Sequence, residues 1–192
     1  MEPINIVRFS PSEHGKFLPA ILQMHIDCIE SDGALLRFHP PFTLEKRQKM
    51  ETFWKARLSQ ISTGHRITLI ALASSDGKQE TDIAGIVELG MTEADTGPFR
   101  GDLEMLMVSP KYRRRGLASK LIDELEEIAK DEKRTLLLLS TDIGSTAEKY
   151  LYPRRGYTLM GTVPNYGISP TDGSLKDGAF FYKQLIAPVA GA

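Results

Sequence analysis

The sequence runs to 192 residues with an apolar share of 41%, enough interior for one ordinary core without disulfide or metal staples. Lysine and arginine (24) nearly balance aspartate and glutamate (25), leaving a net charge of -1; no global field draws the chain to nucleic acid or an acidic membrane, so any anion site must be local. The only cysteine, Cys28, can form no internal disulfide, residues 1–5 lack the basic and apolar regions of a signal peptide, and no apolar run approaches the ~20 residues of a bilayer span, so a cytoplasmic protein is expected.

No repeat, low-complexity tract or long Gly/Ser/Pro linker divides residues 1–192, and a single domain is expected. Ile4 to Phe9 predicts a strand. Ser12 predicts the cap of a helix carrying Leu18, Leu22, His25 and Ile29 on one face and ending near Gly33. His39-Pro40-Pro41 interrupts regular structure, and Thr43 then caps a second helix that runs through Trp54 and Leu58 toward Gly64. Two β-rich runs, Ile67 to Ala73 and Ile83 to Leu89, flank the polar turn Ser74 to Lys78 and predict an antiparallel hairpin. Leu103 to Val108 follows as a third run.

The clearest helix starts at Leu117, with Leu121, Leu125 and Ile128 at helical period and Asp123, Glu127 and Lys130 outward. Thr135 to Leu139 is a continuous apolar run, as expected of a strand covered on both faces. A shorter helix over Ser145 to Tyr152, a strand from Tyr157 to Val163, a Gly/Pro-rich loop through Gly178 and a final strand Phe180 to Tyr182 complete the order. The pattern predicts an α+β fold with a mixed sheet.

Between the strand ending at Val108 and the helix starting at Leu117 lies Arg113-Arg114-Arg115-Gly116. The first N–H groups of a helix lack intrahelical acceptors and carry the positive end of the macrodipole, so this junction suits a diphosphate. Gly116 allows close backbone approach, Ala118 keeps the next position small, and the arginines add permanent charge. Arginines at a helix N-terminus oppose the dipole unless an anion compensates. Neither G-x-x-x-x-G-K-[ST] nor G-x-G-x-x-G occurs, which argues against a nucleotide kinase or a Rossmann dehydrogenase.

Arg113-x-x-Gly116-x-Ala118, following Leu106-Met107-Val108-x-Pro110, resembles the Q/R-x-x-G-x-G/A signature of the GNAT N-acetyltransferase superfamily. Ala147 to Tyr157 resembles that family's A-x-x-x-Y-x-x-x-G-F/Y block, with Tyr152 four residues before Gly156. From Asp102 to Gln184 the chain is most similar to the tabtoxin-resistance type, through Gly144-Ser145-x-Ala147-Glu148, Pro164-x-Tyr166 and Phe181-Tyr182-Lys183. Ala147 to Tyr152 is one residue longer than in that relative, which leaves Tyr150 as a rival to Tyr152.

The resemblance implies a GNAT fold, a mixed, mostly antiparallel sheet of about seven strands flanked by about four helices. It also implies acetyl-coenzyme A as acyl donor, with no metal. Leu106, Met107 and Val108 are assigned to pantetheine and thioester contacts. Arg113, Arg114, Arg115, Gly116, Leu117, Ala118 and Ser119 are assigned to the pyrophosphate, largely through backbone atoms. An alkylamine acceptor is mostly charged at neutral pH, so a carboxylate must take its proton. Asp102 is the family-matched position, Glu104 shares its face by strand period, and Glu88 is a third candidate. Tyr152, or Tyr150 in its place, is the phenol that would protonate the leaving thiolate.

The histidines show no metal-ligand spacing with one another or with Cys28, and His25 reads as a structural residue on an apolar stripe. Phe53 and Trp54 read as core, while Asp32, Gly33, Phe38 and Pro41 are candidates to line an acceptor pocket. The expected activity is acetylation of a primary amine on a small molecule, such as an amino-acid-like compound, polyamine or toxin. A protein or peptide acetyltransferase and a non-catalytic acyl-CoA sensor are the alternatives. No nucleic-acid or membrane partner is expected, and the closing strand with Phe180-Phe181 is a candidate homodimer contact.

Overall fold

The computed structural model describes residues 3–74 and 81–185, Thr81 by its backbone alone. Seven strands, β1 (Ile4–Arg8), β2 (Arg66–Ser74), β3 (Thr81–Met91), β4 (Arg100–Val108), β5 (Leu136–Asp142), β6 (Thr158–Ile168) and β7 (Leu175–Gln184), form one sheet in the order β1-β2-β3-β4-β5-β7-β6. Neighbours run antiparallel except β4 and β5, which are parallel. The α+β architecture with a mixed, mostly antiparallel sheet is therefore the one the chain adopts. The expected turn between β2 and β3 lies, beyond Ser74, outside the described residues.

The helices are α1 (Pro11–His14), α2 (Leu18–Asp32), α3 (Leu44–Ser62), α4 (Leu117–Asp131) and α5 (Tyr152–Arg154). The first departs from the sequence expectation: Ser10, not Ser12, precedes α1, and a 3-10 turn over Gly15–Phe17 separates it from α2. Pro19 explains the restart, because a proline lacks the N–H that the first helical turn leaves unused anyway. Helix α2 buries Ile21, Met24, His25, Cys28 and Ile29 on one face and ends at Gly33, whose φ of 66° supplies the left-handed cap. In α3 the Thr43 hydroxyl accepts from the Lys46 N–H at 3.3 Å, and Met50, Trp54 and Leu58 are buried.

The sheet is covered on both sides. On one, Leu117, Leu121 and Leu125 of α4 pack on Leu69, Val87, Leu103 and Leu137; on the other, α2 and α3 set Met24 and Trp54 among Phe9, Ile70 and Ile86. Strand β5 is not covered on both faces as its apolar run suggested: Leu137 and Leu139 are buried, whereas Leu136 and Leu138 are only partly so. One of its faces opens on a cleft described below.

The region read as a loop through Gly178 is instead a long hairpin. Strand β6 extends to Ile168 and β7 starts at Leu175. Its glycines and Pro164 are accommodated because β6 is an edge strand with register shifts at Leu159/Gly161 and Val163/Gly167. Strand β7 lies between β5 and β6, with Phe181 buried and Phe180 set edge-on against Tyr166 at 5.1 Å. The closing strand and its aromatic pair are thus used inside the sheet, and β7 offers no free edge to a partner strand.

Candidate active site

Strands β4 and β5 pair only at Arg100↔Leu136, Gly101↔Leu137 and Asp102↔Leu138, then part. The parting coincides with a bulge in β4: Glu104 faces Glu88 and Met107 faces Ile86, so Met105 and Leu106 together stand against Val87. Met105 takes a φ of 50°, which turns the strand locally. A cleft of about 1510 Å³ opens beyond this vertex, lined by the second half of β4, the free end of β5, the start of α4 and residues 33–37. At the end of β4 the Val108 carbonyl accepts from Arg113 Nε at 3.0 Å, so it points away from β3. Since N–H and C=O of one strand residue share a side, the Val108 N–H also points away from β3.

The turn feeding α4 has the backbone shape expected of an anion cradle. Arg114 (φ 60°) and Gly116 (φ 74°) are both left-handed, and no side chain caps the helix start. A Cβ on Gly116 would meet nothing within 4 Å, so the glycine is required by φ rather than by space. Leu117, Ala118 and Ser119 line the cleft, Leu117 being buried. Met107 is likewise buried on the α2 side.

The three arginines are held differently. Arg113 is held by Val108 O, by Ser31 Oγ at 3.1 Å and by Asp32 Oδ2 at 3.0 Å. Arg115 lies 5.4 Å from the Tyr112 ring centroid and donates to Lys111 O at 3.4 Å. Arg114 lines the cleft and has no ion pair among the described residues.

The three carboxylates also separate. Glu88 is fully buried, accepting from Thr68 Oγ1 at 2.9 Å and Arg57 Nε at 2.5 Å. Glu104 pairs with Arg57 and, at 2.7 Å, with Arg66. Burial lifts the Glu88 carboxyl above the usual range; at Glu104 burial pushes the same way but Arg57 and Arg66 outweigh it and hold that carboxyl low. Asp102 is the exception. It is half-buried at the vertex, its carboxylate has no hydrogen bond or ion pair among the described residues, and burial together with Glu104 raises it. A raised, unpaired carboxylate facing a cleft can accept a proton; one clamped by two guanidiniums is a poor acceptor.

Tyr152 is 5% exposed, packed edge-on against Tyr157 at 5.7 Å and tilted on Phe181 at 5.8 Å, and it reaches the cleft. Burial, with the charge of Asp142, raises it well above an ordinary phenol and keeps it protonated. Tyr150 lines the cleft as well, but is 53% exposed beside Arg154. The extra residue before Tyr152 is absorbed by a π turn over Ala147–Leu151, in which the Tyr152 N–H bonds Ala147 O.

The far end of the cleft is roofed by the chain after α2 and the β6–β7 turn. His39 Nε2 lies 3.2 Å from Ser169 O, a Cβ on Gly33 would meet the Thr171 methyl at 2.9 Å, and one on Gly167 would meet Leu35 at 3.2 Å. Of the suggested pocket residues, Asp32 and Gly33 line the cleft, whereas Phe38 stacks edge-on against His25 and Phe53 at 5.6 and 5.5 Å. Sequence reasoning missed Arg37, Lys176 and Asp142, which also line it.

Comparison with known proteins bears on the family and the fold. The model of the Acetyltransferase (GNAT) family matches residues 34–157. A candidate phosphinothricin N-acetyltransferase superposes with a TM-score of 0.73 at 16% identity, covering 96% of this chain and 99% of that one. A Salmonella typhimurium protein solved with its cofactor acetyl-CoA gives a TM-score of 0.70 at 16% identity, covering 98% of each chain. The ribosomal-protein-S18-alanine N-acetyltransferase from Escherichia coli gives 0.69 at 17%, covering 99% of each. At these identities the likeness is one of fold. Among the described residues, no helix is long and apolar enough to cross a membrane, and no group of three or more His, Cys, Asp or Glu is arranged to hold a metal ion.

Proposed function

The chain belongs to the GNAT acetyltransferase family, and from that premise we propose that it acetylates the primary amine of a small molecule, with Asp102 as base and Tyr152 as acid. The observation that carries the small-molecule reading is the roof over the acceptor end. Residues 33–39 touch the tip of the β6–β7 hairpin at Gly33, Leu35 and His39, across the path that an extended polypeptide acceptor would need. Arg37 and Lys176 at this end favour an acceptor that also bears an anionic group, as an amino-acid-like compound does, over a polyamine.

Acetyl-CoA supplies an acetyl group activated as a thioester. The uncapped, left-handed entry to α4 suits its diphosphate, held by backbone N–H groups from Arg114 to Ser119 with the Arg114 side chain alongside. Leu106 and Val108 offer backbone on the splayed side of β4, and the Val108 N–H is aimed where it can polarise the thioester carbonyl. Asp102 takes the proton of the incoming ammonium, a role its elevated affinity for protons suits. Tyr152 delivers a proton to the departing sulfur and remains neutral until it does.

The test is coenzyme A release with a panel of free amino acids, amino-acid amides, polyamines and N-terminal peptides. Turnover with free amino acids is the expected result. Turnover with peptides alone overturns the small-molecule reading, and tight acetyl-CoA binding without turnover on any amine overturns the enzymatic one.

A further inference from the structure

Arg113 opens the turn that faces the diphosphate, yet its side chain points to the other end of the site. It ties together three pieces of chain: the last carbonyl of β4 at Val108, the last turn of α2 at Ser31 and Asp32, and its own turn. Cys28 Sγ, one turn earlier on α2, reaches the same Val108 carbonyl at 3.4 Å. The chain that leaves α2 directly after Asp32 passes through the left-handed Gly33 and becomes the roof of the acceptor end. One guanidinium therefore connects the cofactor turn to the segment that shapes the acceptor chamber.

We propose that the Arg113–Asp32 pair couples the two ends of the site, with Asp32 acting as a positioning residue for cofactor binding and for the roof over residues 33–39. The inference rests on the acetyl-CoA reading of the α4 turn. Its physical content is that both segments have one mutually compatible arrangement, so that ordering the turn around a diphosphate orders the roof, and the reverse. The pair is partly exposed, its side chains 30% and 53% accessible, so its contribution is orientation of two backbone segments rather than strong attraction.

The proposal predicts a sign opposite to that of charge alone. Asp32→Asn removes a negative charge near the expected diphosphate and releases Arg113, which by simple electrostatics would tighten binding of a polyanion. Loss of positioning weakens it instead. Calorimetric titration with coenzyme A should show Kd rising about 5-fold in Asp32→Asn, the lower range for coupling between sites. Arg113→Gln should lose at least as much, and the double variant no more than Arg113→Gln alone, as for residues acting as a unit. Hydrogen exchange supplies the second readout. Coenzyme A should slow exchange over residues 33–39 in the wild type and fail to do so in Asp32→Asn. Unchanged or tighter binding in Asp32→Asn, additive losses in the double variant, or protection of residues 33–39 that persists without Asp32 each overturn the coupling while leaving the acetyl-CoA reading intact. Failure of the wild type to bind coenzyme A overturns that reading itself. Melting curves establish that each variant is folded, and where Asp32→Asn is not, Ser31→Ala removes a neutral partner of Arg113 and should weaken binding in the same direction.

Discussion

Acidification should destabilise this protein through one buried imidazole. His25 is 0% exposed and joins three elements: its Nδ1 accepts the Trp54 Nε1–H of α3 at 3.1 Å, and its Nε2 lies 2.8 Å from the Leu36 carbonyl under the acceptor roof. Because Nδ1 accepts, the proton sits on Nε2 and is donated to Leu36. Protonating Nδ1 would set one N–H against another in a buried site, and burial holds the pKa near 4 instead of 6.5. In the unfolded chain the ring protonates near 6.5, so between those values the unfolded state binds more protons. The contribution is fully present above pH 6.5 and is lost as pH falls toward 4. At about 1.4 kcal/mol per pH unit the full loss is about 3 kcal/mol, a large part of the ~5–15 kcal/mol typical of a domain. Urea unfolding of the wild type and of His25→Gln at several pH values from 7.5 to 4.5 isolates the effect, since groups common to both cancel. Those pH settings and the gap they should reveal, about 2–3 kcal/mol, define the assay. The wild-type advantage should shrink steadily as pH falls; parallel curves would refute the assignment of a neutral, doubly bonded His25.

Tyr152→Phe should lower kcat by about 10²-fold or more with little change in acetyl-CoA affinity, while Tyr150→Phe stays within about 3-fold, read by steady-state kinetics. A loss confined to Tyr150→Phe moves the acid to the exposed ring. Asp102→Asn should reduce kcat by about 10²–10⁴-fold and remove the acidic limb of the pH–rate profile contributed by its raised carboxyl; retention of that limb would point to another base. Glu88→Gln should act on stability instead, leaving Arg57 and Arg66 short of a buried counter-charge at a cost of about 3–5 kcal/mol. A denaturation midpoint within error of the wild type would contradict that role.

Local order is what the sequence made legible. Helix α4 could be drawn from Leu117, Leu121 and Leu125 because one face is buried against the sheet and imposes its period on the residues. The turn before α4 was equally local, since strand end, glycine and helix start are consecutive. The β6–β7 hairpin was not, because β6 is exposed along nearly its whole length and no buried face enforces alternation on its glycines and proline. The division of labour among carboxylates was hidden for a different reason. Asp102 and Glu104 are equivalent by strand period, and only Arg57 from α3 and Arg66 from β2, arriving from distant parts of the chain, neutralise one and spare the other.

The same contrast explains the tyrosines. A one-residue insertion in an ideal α-helix rotates everything after it by ~100°, so the longer Ala147–Tyr152 segment could have presented Tyr150 to the chemistry. The π turn takes up that residue within a single turn. Tyr152 then keeps the packing on Tyr157 and Phe181 that fixes its ring at the cleft. Spacing in the sequence named two phenols. Both line the cleft and they differ in environment: Tyr152 is buried where its ionisation is suppressed, whereas Tyr150 is 53% exposed.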